Sequence, residues 1–200
     1  MRVDDTVLRE LGCTPYVQTL EAMRRFTASR TESTPDELWL TEHPPVYTLG
    51  QGAAAVEAGN GIPVVRSDRG GDVTYHGPGQ VVLYALVDLG RRGIKVKPFV
   101  RILEQAVIDL LGRGERKPGA PGVYVDGAKI AALGIRVSRG RSYHGLALNV
   151  DMDLIPFSCI DPCGYPGLAV THMRALGLDE SVPSVGRRLA RILSERLGDA

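Results

Sequence analysis

Apolar residues recur at helical spacing in three stretches of this chain and crowd at strand-like density in several others. Thr14-Pro15 offers an N-cap and a first-turn proline for a helix running to about Ser29. Its apolar residues Tyr16, Val17, Leu20, Met23 and Phe26 fall roughly on one face. Phe99 to Leu111 repeats the pattern with Val100, Leu103, Val107 and Leu110-Leu111, and a closing helix is expected near Ser184 to Leu197. Strands are expected at Glu37 to Thr41 and, past the interruption at Pro44-Pro45, at Val46 to Leu49. Val64-Val65 leads into the Arg69-Gly70-Gly71 loop, and Val73 to Tyr75 is a shorter strand. Val81 to Leu89 is the strongest, because Val81 to Val87 is the longest uninterrupted apolar run in the chain.

From Val123 the pattern turns to hairpins. Val123-Tyr124-Val125 meets Ala128 to Val137 across Asp126-Gly127, and a second turn at Ser138 to Arg141 leads into Tyr143 to Val150. Hairpins require antiparallel pairing, which excludes a doubly wound parallel sheet. The fold expected is α/β of the α+β type, a mixed and largely antiparallel sheet with helices packed against it. No repeat, low-complexity tract or linker divides the chain, so residues 1–200 read as one domain.

Composition narrows the class. Charged residues are 24% and the formal net charge is +1, so no bulk field recruits nucleic acid or an anionic membrane. The start lacks the charged and apolar regions of a signal peptide, and Val81 to Val87 is far short of a span of about 20 residues. Three cysteines are too few and odd for a disulfide framework, which fits a reducing, cytoplasmic setting. No GxxxxGK[ST] or GxGxxG occurs, so the usual phosphate-loop and dinucleotide signatures are missing. Glycine stands out, with 24 of 200 residues. That excess implies tight turns or backbone lying close to a ligand.

Metal binding has little support. His43, His76, His144 and His172 are scattered, no HExxH occurs, and Cys159-x3-Cys163 with His172 lacks a fourth ligand. Cys159 reads as a small buried hydrophobe. Cys163 sits in Asp161-Pro162-Cys163-Gly164, a turn sequence where backbone amides can face the sulfur; on its own, such a turn is more often structural. A nucleophilic thiol needs an activating neighbour. Lys129 is a candidate, since it interrupts the apolar strand Ala128 to Leu133. Alternation permits it to face solvent instead; a lysine buried there would hold its proton less tightly and act as a base. Arg69-Gly70-Gly71 and His76-Gly77-Pro78-Gly79 flank a short strand and let main chain run along a ligand. Ala131 to Gly134 and His144 to Ala147 are small-residue strands, which either leave an apolar groove suited to an acyl chain or pack closely under a helix.

Four of these motifs, in order and in register, resemble the signature of lipoyl(octanoyl) transferases. They are Arg69 to Gln80 (RGGDVTYHGPGQ), Gly127 to Gly134 (GAKIAALG), Tyr143 to Val150 (YHGLALNV) and Asp161 to Gly164 (DPCG). Glu42 to Gly50 is similar to an earlier family segment, so the resemblance runs from about 37 to 173. It implies a fold similar to the catalytic domains of biotin and lipoate protein ligases. It implies transfer of an octanoyl or lipoyl group from acyl carrier protein to one lysine on a lipoyl domain of a 2-oxoacid dehydrogenase or glycine-cleavage protein. Neither nucleic acid nor membrane would be a partner. Carried over by position, Cys163 becomes the acyl-thioester nucleophile and Lys129 its partner. The substrate-contacting segments become Arg69, Gly70, Gly71, Asp72, Val73, Thr74, Tyr75 and His76; Ala132, Leu133 and Gly134; and Gly145, Leu146 and Ala147. Exchange of one thioester for another, then of thioester for amide, needs neither ATP nor metal.

Two rivals remain at this point. An ATP-dependent lipoate- or biotin-type ligase shares the fold but gives Cys163 no role. A non-catalytic acyl- or carrier-binding module would keep the groove alone. The segment Arg91 to Lys117 carries eight basic and three acidic side chains. It either steers an acidic donor or is a solvated rim.

Overall fold

The computed structural model describes residues 2–3, 6–56, 59–160 and 167–200. Its strands are β1 (Arg2–Val3), β2 (Thr6–Cys13), β3 (Asp36–Glu42), β4 (Val46–Leu49), β5 (Val64–Arg66), β6 (Val73–His76), β7 (Gln80–Leu86), β8 (Glu115–Lys117), β9 (Ala120–Val125), β10 (Ala128–Ser138) and β11 (Arg141–Asn149). The helices are α1 (Tyr16–Ser29), α2 (Leu89–Arg92), α3 (Val96–Leu111) and α4 (Val182–Gly198). The main sheet has the order β1-β2-β3-β7-β11-β10-β9-β8, antiparallel except between β2 and β3. A smaller sheet, β5-β4-β6, pairs β4 parallel to β5 and antiparallel to β6. This is the mixed, largely antiparallel α+β arrangement expected.

Strand β7 reads as continuous apolar sequence because both faces of the sheet are covered. Val81, Leu83 and Ala85 point into the core beneath α3 and α4, with Leu103, Val107, Leu189 and Leu193. Val82, Tyr84 and Leu86 point the other way, against Tyr16, Leu20 and Met23 of α1. Helices therefore lie on both faces. The two hairpin turns form as expected, with positive φ at Asp126 (51°) and Gly127 (82°), and at Arg139 (51°) and Gly140 (76°). Consecutive positive φ values match the right-handed twist of the strands they join.

Several local expectations shift. Leu89 leaves the strand and opens α2, because the Asp88 carboxylate accepts from Arg91 N–H at 3.0 Å and caps that turn. Thr14 does not cap α1. Its hydroxyl bonds instead to those of Thr19 (2.9 Å) and Thr41 (2.7 Å), tying helix to sheet. Val17, expected on the packed face of α1, is 46% exposed. Helix α3 starts at Val96, a turn before the expected Phe99, with Pro98 tolerated in the first turn. Strand β2 carries no signal of its own. It forms at the side of β3, where Arg9 pairs with the buried Glu37.

Candidate active site

The fold holds a cleft of about 400 Å³, within the usual range for small-ligand sites. Its rim is backbone-rich. Gly52, Gly71, Gly119 and Pro121 are exposed there, while Tyr16, His76, Val82, Tyr84 and His144 form a buried floor. The walls between them are largely apolar, including Val100, Ala132, Leu133, Ile135, Leu146 and Ala147.

Three chain segments make this cleft because glycine lets them touch. Gly70 N–H donates to the Ile135 carbonyl at 2.9 Å, which lays the 69–72 loop across β10. A Cβ on Gly134 would stand 2.8 Å from the Gly70 carbonyl oxygen, so any side chain there would pry loop and strand apart. The loop is pinned from its other side by Gln51 N–H to the Arg69 carbonyl (2.9 Å). Arg69 itself is buried. Its guanidinium donates to the Thr48 carbonyl (2.6 Å), the Thr48 hydroxyl (2.9 Å) and the Gly70 carbonyl (3.0 Å), so it clamps the loop.

The cleft thus brings together Arg69, Gly70, Gly71, Asp72, Val73, Thr74, His76, Ala132, Leu133, Gly134, Gly145, Leu146 and Ala147. Tyr75 is the exception. On β6 it faces away from the cleft, into a separate core with Tyr47 and Phe157, its ring 5.5 Å from each.

Lys129 does not face solvent. It is 4% exposed, its Nζ donates to the Pro121 carbonyl at 3.1 Å, and the same atom lies 5.5 Å from the centre of the Tyr124 ring. Hairpin alternation allowed solvent on that face. The 169–171 segment instead lies along the strand here and Val170 lines the recess with Lys129: Lys129 N–H donates to the Ala169 carbonyl (2.8 Å), and the Lys129 carbonyl accepts from Thr171 N–H (3.0 Å). Lys129 borders a recess of about 20 Å³ beside the main cleft, and Thr74 and Ala132 line both. Room for its stem comes from Gly122, whose φ is 150° and whose hypothetical Cβ would meet Lys129 Cε at 2.5 Å. Cys163, with Asp161, Pro162 and Gly164, lies outside the described residues. Cys159 is exposed rather than buried, its Sγ 3.5 Å from the Asn60 amide. The apolar environment expected for it is taken by Phe157 and Ile160 instead.

Spacing along the chain hid a histidine cluster under the floor. The His43 and His76 rings are 5.8 Å apart, and Tyr16 contacts both. Burial lowers the pKa of His43, and its partners fix the neutral tautomer: Nδ1–H donates to the Thr14 carbonyl (2.6 Å) and Nε2 accepts from Tyr84 OH (2.7 Å). Burial, with His43 adding to it, pushes His76 down to about 3, and its Nδ1–H donates to Gln80 Oε1 at 2.7 Å. His144 is also lowered by burial, against the pull of Asp68. Its Nε2–H donates to Asp68 Oδ1 at 2.8 Å, while the buried Nδ1 has no hydrogen-bond partner among the described residues. Burial works against ionised Asp68, yet hydrogen bonds from His144 and Tyr143 prevail and hold it well below the usual carboxylate range. The φ of His144 is +62°, a strained conformation for a non-glycine residue inside a strand. Asp68 directly precedes the Arg69-Gly70-Gly71 segment, the one sequence signal that pointed to it, whereas His144 lies inside the Tyr143 to Val150 motif.

A polar chain links the two sides of the site. Gln80 accepts from His76 and donates to Asn149 Oδ1 (2.9 Å), and Asn149 donates to the Thr171 carbonyl (2.9 Å). Thr171 then bonds to Lys129 through the main chain. Among the described residues, no three His, Cys, Asp or Glu side chains converge as a metal site.

Residues 15–193 match the model of the lipoyl protein ligase A/B catalytic domain, and the chain belongs to that family. Relatives named octanoyltransferase include one from Aromatoleum aromaticum, 59% identical over 96% of this chain and 85% of its own length. Another, from Thiobacillus denitrificans, is 58% identical over 96% of this chain and 90% of its own. Among solved structures, a lipoate-protein ligase A bound with ATP superposes with a TM-score of 0.80 at 19% identity, covering 97% of this chain and 86% of that one. A biotin protein ligase from Aquifex aeolicus gives 0.55 at 12% identity, covering 99% and 70%. At such identities these two structures speak for the fold.

Proposed function

We propose that this chain is an octanoyltransferase. It moves an octanoyl or lipoyl group from acyl carrier protein to one lysine of a lipoyl domain, in a 2-oxoacid dehydrogenase or glycine-cleavage protein. It needs no ATP and no metal, and it works in the cytoplasm as one catalytic unit spanning 1–200. The observation that carries this reading is identity of 58–59% over 96% of the chain to octanoyltransferases. The apolar walls of the cleft, suited to a saturated chain, support it. So does the burial of Lys129 beside that cleft.

The reaction has two steps. The Cys163 thiol gives its proton to Lys129, and the sulfur attacks the carbonyl carbon of the donor thioester. The new C–S bond forms as the carrier's C–S bond breaks, and the carrier thiolate takes the proton back. In the second step the acceptor amine attacks the Cys163 thioester; a C–N bond forms, the C–S bond breaks, and Lys129 takes the amine's proton and passes it to the departing Cys163 thiolate, which restores the thiol. Segments 69–76, 132–134 and 145–147 hold the acyl chain, with Tyr75 supporting β6 from behind. The main-chain bonds of Lys129 to Ala169 and Thr171 attach it to the stretch that follows Cys163 in sequence.

Purified protein, octanoyl-carrier protein and an apo lipoyl domain, mixed without nucleotide, test this reading. Octanoyl amide on the lipoyl-domain lysine is the expected product. Acylation that requires free octanoate and ATP overturns the transferase reading in favour of a ligase.

A further inference from the structure

The basic run from Arg91 to Lys117 divides into two sets once its partners are known. Arg91 and Arg92 pair with buried Asp36, Arg113 with Asp126 and Arg116 with Glu104. Lys117 donates to the Gly127 carbonyl and lies over the Tyr124 ring at 4.4 Å. These five serve the fold. Lys95, Lys97 and Arg101 are all exposed, and among the described residues none has a carboxylate within ion-pair distance.

The three lie along the opening turns of α3, with Lys97 and Arg101 one turn apart on the same side. No acidic residue occupies the first turn, where a carboxylate would favour the helix and cations do not. Helix stability therefore does not account for them. Beside them runs an apolar strip. Val96 is 47% exposed, one of four large hydrophobic side chains so placed among the described residues, and Val100 one turn on lines the cleft. Cations flank a valine strip that leads from solvent to the cleft wall.

We propose that this face of α3 is the docking surface for the donor: an acidic carrier protein that delivers the acyl chain on a phosphate-bearing arm. The inference rests on the octanoyl-transfer reading and adds where the donor binds. Lys95, Lys97 and Arg101 meet the carrier's carboxylates and the arm's phosphate, Val96 receives an apolar side chain of the carrier, and the arm passes Val100 into the cleft. Opposite charge raises the encounter rate and fixes orientation.

The double variant Lys97→Glu/Arg101→Glu tests it, beside Arg25→Glu/Arg191→Glu, which changes net charge equally at exposed positions on α1 and α4. Acyl-enzyme formation is followed with octanoyl-carrier protein and with octanoyl-pantetheine, which has the same thioester but no protein. The α3 variant should lose at least tenfold in kcat/KM with the carrier donor and keep its rate with octanoyl-pantetheine. The control pair should change neither. Unchanged carrier kinetics overturn the proposal, as does equal loss with both donors. A defect confined to the KM of the lipoyl domain also overturns it, assigning the face to the acceptor. A wild type inert toward both donors would instead remove the transfer reading itself.

Discussion

His144 donates its Nε2–H to Asp68 at 2.8 Å, and that bond joins β11 to the loop entering Arg69-Gly70-Gly71. Tyr143 OH reaches the same carboxylate at 2.7 Å, and Arg24 of α1 pairs with it at 2.9 Å. One carboxylate thus holds a strained residue of the cleft floor and the start of the loop that forms the cleft wall. Asp68→Ala leaves a buried imidazole N–H unpaired. It should cost about 1–3 kcal/mol of stability and, through misplacement of the loop, on the order of 10²-fold in kcat/KM. Chemical denaturation and steady-state transfer measure the two effects; a fully stable variant with full activity would remove Asp68 from the account.

Lys129→Ala should abolish turnover, since no other buried amine borders the recess next to Thr74 and Ala132 among the described residues. Octanoyl transfer at the wild-type rate by a folded Lys129→Ala protein would refute the pairing of Lys129 with Cys163.

Gly122→Ala probes the same lysine without replacing it. The new methyl would sit 2.5 Å from Lys129 Cε and 2.7 Å from the Ala131 carbonyl oxygen, on a backbone with φ at 150°. Overpacking of that kind costs about 1–3 kcal/mol, and displacement of Lys129 should lower kcat more than tenfold with KM little changed. A loss of stability alone, with kcat intact, would show that the position of Lys129 is not critical.

Much of this was legible in the sequence, for reasons local to the chain. Asp126-Gly127 and Arg139-Gly140 fix their turns by their own backbone preferences, and β7 betrays itself by seven apolar residues in a row. The glycine segments around the cleft were visible because a backbone that must approach closely selects glycine. What escaped depends on distant partners. Strand β2 relies on pairing with β3 and on Glu37 to hold Arg9. His43 and His76 stand far apart in the chain and 5.8 Å apart in the fold. Lys129 obeys a strand alternation compatible with solvent, and only the 169–171 segment laid beside it reveals a buried lysine. Tyr75 sits within a motif that lines the cleft, yet strand alternation turns its ring to the opposite side.

The buried histidines predict how stability responds to acid. All three have folded pKa values below 6.5, His76 the furthest at about 3, each chiefly through burial. Below pH 6.5 the unfolded chain takes up protons that the folded state refuses, so this stability is intact above 6.5. It falls as pH drops below 6.5, for His76 all the way toward 3, by at most about 1.4 kcal/mol per pH unit for each histidine that the folded state keeps neutral. Asp36 and Asp68, whose folded values are lowered, add to the loss below about pH 4. Urea midpoints at pH 7, 6 and 5 should decline in order. A midpoint that holds steady or rises would mean that the histidines are hydrated or charged in the folded protein.

The central claim is a covalent acyl group on Cys163. Intact-protein mass after mixing with octanoyl-carrier protein, without ATP and without acceptor, tests it most directly for wild type and Cys163→Ser. The account predicts a gain of one octanoyl group on the wild type, removed by hydroxylamine and missing from the variant. A wild type that gains nothing, yet acylates a lipoyl domain once octanoate and ATP are added, would contradict it.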